Sequence, residues 1–88
     1  MSQKLLPSQY KHTSISNLPE KMKRYTLELT NGSRYLVSGE IRQNILRSKT
    51  NFVELPEGST INKSFIIEFK LNPEETRDYV REEYGENE

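Results

Sequence analysis

Large apolar and polar residues alternate from Tyr25 to Leu29 and again from Tyr35 to Val37, with Thr26, Glu28 and Thr30 interleaved among Tyr25, Leu27 and Leu29. A period of two puts one set of side chains on a single face of a strand. Asn31-Gly32 falls between the two runs, and this dipeptide supplies the positive φ values of a tight hairpin turn. The segment reads as an antiparallel hairpin whose buried face is Tyr25, Leu27, Leu29, Tyr35 and Val37.

The period then changes. Ser38 can accept from a free backbone N–H at a helix start, and Glu40 suits the positive end of the macrodipole. Ile41, Ile45 and Leu46 supply one stripe, so the pattern predicts a short helix over Glu40 to Lys49 packed on the sheet. A second hairpin follows, with Phe52 to Leu55 as a strand, Pro56 to Ser59 as its turn and Thr60 to Lys70 as a longer strand. In that strand Ile61, Phe65, Ile67 and Phe69 share one face and Ile66 points the other way. Lys63 interrupts the apolar face, which predicts a bulge or a strand that begins in earnest near Ser64. Asn72 as N-cap, Pro73 at the first helical position and Glu75 at the capping-box position predict a last helix. Its contact stripe, Tyr79, Val80 and Tyr84, is narrow.

The order ββαββα predicts an α+β domain. Its expected architecture is a four-stranded, mainly antiparallel sheet, with the first helix on one face and the C-terminal helix on a flank. Residues 1–20 show no useful period and are expected to form a mostly disordered arm. Leu5, Leu6, Tyr10, Ile15 and Leu18 leave open that this arm docks on the domain or on a partner. The folded domain is expected over residues 21–84, with 85–88 as a frayed acidic tail.

Composition sharpens this picture. Hydrophobic residues make up 32% of the 88 residues, against a usual share of about 45%, so the apolar side chains are concentrated in one small core. The absence of cysteine removes any disulfide framework or thiolate site. The opening residues lack a signal-peptide core and no run approaches the roughly 18 apolar residues of a membrane span. A soluble, cytoplasmic protein without membrane association is expected. The formal net charge of zero hides an asymmetry: residues 1–50 hold nine Lys or Arg against three acids, and residues 51–88 hold ten acids against four bases. Such halves either neutralise one another in the fold or mark an electrostatic partner.

Candidate chemistry is sparse. The single histidine, His12, lies in the expected arm with no Asp or Cys at a useful spacing, so neither a nucleophilic triad nor a histidine-bearing metal site is expected. No phosphate loop, calcium loop or dinucleotide fingerprint occurs, and neither a cofactor nor a metal is expected. The protein is therefore not expected to be an enzyme. Two charged surfaces remain. Lys21, Lys23, Arg24, Arg34, Arg42, Arg47 and Lys49, with Tyr25 and Tyr35 nearby, are the ingredients of a nucleic-acid surface that tracks phosphates and stacks on bases. Glu74, Glu75, Asp78, Glu82 and Glu83 on the last helix offer a row of carboxylates for a basic partner surface. Arg77 and Arg81 interrupt that row at spacings that also suit an exposed ladder of ion pairs.

The pattern "YTLELTNGSRYLVSGEIRQNIL" followed by "FVELPEGSTINKSFIIEF" resembles the small accessory proteins carried by phages, prophages and plasmids of Gram-positive bacteria, over about Lys23 to Lys70. The resemblance implies a mobile-element protein that interferes with a host function, and it implies no residue-level role. A non-enzymatic module that binds a protein partner is the expected function, with nucleic-acid binding as the alternative. An edge strand, either Phe52 to Leu55 or Tyr35 to Ser38, offers a third route, pairing with a partner strand or with a second copy to make a homodimer.

Overall fold

The computed structural model describes residues 14–84. Residues 1–13, the side chain of Tyr84 and residues 85–88 lie outside that description, and with them His12 and most of the expected arm and tail. The described chain runs β1 (Arg24–Leu29), β2 (Arg34–Ser38), α1 (Gly39–Arg47), β3 (Phe52–Glu54), β4 (Thr60–Asn62), β5 (Ile66–Leu71) and α2 (Pro73–Tyr84). Short 3₁₀ turns occupy Ile15–Asn17, Glu20–Met22 and Lys63–Phe65.

The fold is α+β with antiparallel pairing throughout, as the alternation implies. The strands are divided between two sheets, one of three strands in the order β2-β1-β5 and one of two, β3-β4. The expected single four-stranded sheet is thus corrected, and the cause lies at Lys63. Asn62 caps a 3₁₀ turn by accepting from the Ser64 backbone N–H at 2.9 Å. The Lys63 ammonium donates to the carbonyl of Ser48, the C-cap of α1, where positive charge is favourable. Lys63 therefore ties the second hairpin to the end of α1 and ends the strand that the apolar pattern runs through to Lys70.

Both hairpins close with the same turn. Gly32 N–H donates to the Leu29 carbonyl at 2.9 Å while Leu29 N–H donates to Ser33, and Gly58, Leu55 and Ser59 repeat the arrangement. Gly32 and Gly58 have φ of +91° and +108°, whereas no other described residue has a positive φ. This is a type I turn followed by a glycine bulge, so only Gly32 of the Asn31-Gly32 pair is left-handed. Asn31 instead accepts from the Ser33 N–H at 2.9 Å.

The core lies between the inner face of the three-stranded sheet, α1 and the second hairpin. Tyr25, Leu27, Leu29 and Val37 bury against Ile45, Leu55 and Ile61, and each such side chain removed from water contributes about 2 kcal/mol. α1 starts where expected, with Ser38 Oγ accepting from the Ile41 N–H at 3.2 Å. Ile41 and Ile45 face the sheet, but Leu46, one residue further round the helix, is 56% exposed.

β5 departs from the expected phase. Its pairing with β1 shifts between Glu28 and Leu29, so that Ile67 has no partner of its own. This bulge reverses the alternation. Ile66, Phe69 and Leu71 pack against the core, while Ile67 and Phe65 stand more than half exposed.

A second, smaller cluster joins Leu18, which the sequence leaves open to docking, to the start of the domain and to α2. Leu18 and Met22 bury against Val80 and Tyr79 of α2, so the part of the chain from Ser14 to Met22 docks on the domain, the alternative its apolar residues leave open. The two 3₁₀ turns are too short to show a hydrophobic period. α2 is fixed to the start of β1 by polar bonds as well. Asn72 Oδ1 caps the Glu75 N–H at 3.1 Å, and Asn72 N–H donates to Arg24 O at 2.8 Å. Thr76 is fully buried and its hydroxyl accepts from Arg24 N–H at 2.9 Å.

Candidate interaction surfaces

The seven basic candidates do not form one free cluster. Glu20, in the 3₁₀ turn before β1, lies 3.1 Å from Lys23 Nζ and 4.0 Å from Arg42 Nη1. It also accepts from the Tyr25 hydroxyl at 3.2 Å. The Arg42 guanidinium lies 4.9 Å from the centroid of the Tyr25 ring and 5.8 Å from that of Phe69, a geometry in which ring quadrupoles favour the cation. Arg42 and Lys23 are thus held inward around one carboxylate. Burial first, and then the negative charge of Glu20, pushes the Tyr25 phenol above its ordinary value, against the opposing effect of Lys23.

Arg24 is engaged in a different way. Its Nη1 donates to the carbonyls of Lys21 and Lys23, both at 3.1 Å, and its guanidinium stacks 3.5 Å from the Tyr79 ring centroid. This contact joins the basic start of β1 to the acidic helix. Arg34 is exposed at the head of β2 and lies 3.8 Å from Glu28 on the neighbouring strand. Lys21 is exposed in the Glu20–Met22 turn, Arg47 at the end of α1 and Lys49 in the loop that follows it. The sequence cluster thus becomes four accessible cations, one each on the Glu20–Met22 turn, β2, the end of α1 and the loop after it.

Four of the five acidic candidates do come together. Thr76 and Val80 mark the buried side of α2. At 3.6 residues per turn, positions 74, 75, 78 and 82 fall within about 100° of arc on the opposite side. Glu74, Glu75 and Glu82 are exposed and Asp78 is half-buried. Glu83 is exposed too, but on the side nearer the domain. Among the described residues the only ion pair on α2 joins Asp78 to Arg81 at 3.0 Å. The expected ladder is reduced to one rung, and Glu74, Glu75 and Glu82 present their carboxylates to solvent on a helix anchored at its N-cap, at Thr76 and at Val80.

An open groove of about 320 Å³ runs between α1 and β3, lined by Ile41, Asn44, Ile45, Ser48, Phe52, Val53 and Glu54. Phe52 at its rim is 63% exposed. Among the described residues no group of three or more His, Cys, Asp or Glu is arranged to hold a metal ion. No helix there is long and apolar enough to cross a membrane.

Sequence reasoning passed over Glu20 and Thr76. Glu20 is a single acid in an apparent tail, and its only signal is the run of bases that follows it. Thr76 is a polar residue in a polar helix, and nothing local distinguishes it from its exposed neighbours. Searches against protein families, curated proteins and solved structures found no match for this chain.

Proposed function

We propose that the protein is a non-enzymatic interaction module that binds a protein partner in the cytoplasm through the outer face of α2. The observation that carries this reading is a set of carboxylates, Glu74, Glu75 and Glu82, without an ion pair among the described residues, displayed on one side of a helix whose opposite side is locked to β1. A rigid row of like charges orients a basic partner and speeds its encounter without first ordering a flexible segment. Asp78 lies in the same row, paired with Arg81, and Glu83 extends the acidic field at the helix end.

The pattern over Lys23 to Lys70 supports an accessory protein of a phage, prophage or plasmid that binds, and inhibits, a host protein. Nucleic-acid binding ranks second because Lys23, Arg24 and Arg42, three of its seven candidate residues, are already engaged within the fold.

The test is capture of a partner from a Gram-positive bacterial lysate, with and without nuclease. A protein retained after nuclease and released by moderate salt supports the reading. Capture that disappears with nuclease transfers the function to nucleic acid.

A further inference from the structure

The three-stranded sheet stops short on its β5 side. On the central strand β1 the inward residues Tyr25, Leu27 and Leu29 are 9%, 0% and 6% exposed. On β5 the inward residues Ile66, Phe69 and Leu71 are all only partly buried. No described strand pairs with the outer edge of β5. The other edge differs: Val37 on β2 is 5% exposed, and α1 and the Glu20–Met22 turn pack against that strand. α2 leaves the β5 edge clear, because Thr76 carries it back over Arg24 of β1.

The direction of the free backbone groups follows from one hydrogen bond. Asn72 N–H donates to Arg24 O at 2.8 Å, and the register pairs Thr26 with Lys70, Leu27 with Phe69 and Glu28 with Glu68. In an antiparallel ladder hydrogen-bonded and non-bonded pairs alternate. Asn72, Lys70 and Glu68 therefore turn their N–H and C=O toward β1, and Leu71 and Phe69 turn theirs outward. The bulge at Ile67 ends this regular stretch.

We infer that β5 pairs with β5 of a second copy, antiparallel about a two-fold axis at Phe69, to give a dimer with one continuous six-stranded sheet. In that register Phe69 faces the second copy's Phe69 and exchanges two hydrogen bonds with it. Glu68 then stands opposite Lys70 of the second copy, twice. Charge selects this register over its neighbours. Moving the axis by one residue in either direction sets Glu68 against Glu68 or Lys70 against Lys70, and like charges directly opposite are destabilising. Within one chain Glu68 stands across the ladder from Glu28, whose own cation is Arg34, so the partner's Lys70 supplies Glu68 with a cross-strand counter-charge. This surface is distinct from the outer face of α2, and the inference holds whether or not that helix binds a partner.

Sedimentation equilibrium of the full chain over a concentration series tests it. One strand pair buries little area, so a reversible dimer populated at concentrations on the order of 100 μM is expected. Glu68→Lys and Lys70→Glu each replace two attractive pairs by two repulsive ones and raise the dissociation constant about tenfold or more. The double variant Glu68→Lys/Lys70→Glu exchanges the charges and restores the dimer to within about threefold of the parent. Both positions are exposed, and circular dichroism establishes that each variant is folded. A chain that remains monomeric at the highest concentration overturns the inference, as does a dimer indifferent to the single reversals or one the double exchange fails to restore.

Discussion

Gly39 packs against Glu20 so closely that a Cβ on Gly39 would collide with the Glu20 carbonyl oxygen and lie 2.5 Å from its Oε1 and 2.9 Å from its carbonyl carbon. Gly39 N–H also donates to Lys23 O at 3.0 Å. The first residue of α1 and the turn that precedes β1 are therefore fitted together with no room for a side chain. Alanine is the better helix former by up to about 1 kcal/mol, yet here the collision with backbone dominates. Gly39→Ala is expected to destabilise the fold by about 2 kcal/mol, measured by urea denaturation. A neutral or stabilising result would mean that the turn does not sit where it is described.

Thr76 makes a second prediction. Its hydroxyl satisfies the Arg24 N–H in a fully buried position. Thr76→Val keeps the shape and strands that donor, with an expected loss of about 1–3 kcal/mol. Thr76→Ser retains the hydroxyl and loses only a methyl group, so its loss is smaller, near about 1 kcal/mol. If the two variants reverse in order, the hydroxyl is not what fixes α2 to β1.

Tyr25 predicts a pH dependence. Burial and Glu20 raise its phenol above the ordinary value of 10.0, so the folded chain holds that proton more tightly than the unfolded chain. The associated stability is complete below the ordinary value and is lost as pH rises through the folded value. Denaturation midpoints are expected to fall above about pH 10 in the parent more steeply than in Tyr25→Phe. At neutral pH Tyr25→Phe loses the bond to Glu20 and about 1 kcal/mol of stability. Equal slopes in the two proteins would refute the assignment.

The acidic face should be separable from the fold. Glu75→Lys and Glu82→Lys replace exposed side chains and Asp78→Lys a half-buried one paired with Arg81 at the surface, and each is expected to change stability by about 0.5 kcal/mol or less. Glu75 sits in the first turn, where a cation opposes the macrodipole, so its variant is expected to show the largest of these small losses. Thermal melts of the single variants check this order.

How far the sequence carried differs between elements for physical reasons. The first hairpin and both helix starts were legible because alternation, Ser38 and the Asn72-Pro73 pair act locally, and the structure reproduces each. The bulge at Ile67 was not, because one inserted residue in β5 is invisible to a period count and reverses which of Ile66 and Ile67 faces inward. Docking of Leu18 was legible only as an open alternative, and its site was not, since that depends on Val80, about sixty residues away in a helix with little apolar content. The acidic row was readable as a helical face. The basic cluster failed as a cluster, because Glu20 and the ring of Tyr79 engage cations that sequence proximity alone had grouped with Arg34 and Lys49.

The most direct test of the proposed function compares the parent chain with the triple variant Glu75→Lys/Asp78→Lys/Glu82→Lys as baits in nuclease-treated Gram-positive lysate. The captured proteins are identified by mass spectrometry, and the fold of each bait is checked by circular dichroism. The account predicts one specific protein on the parent that is absent from the triple variant. Equal capture by both folded baits would contradict it.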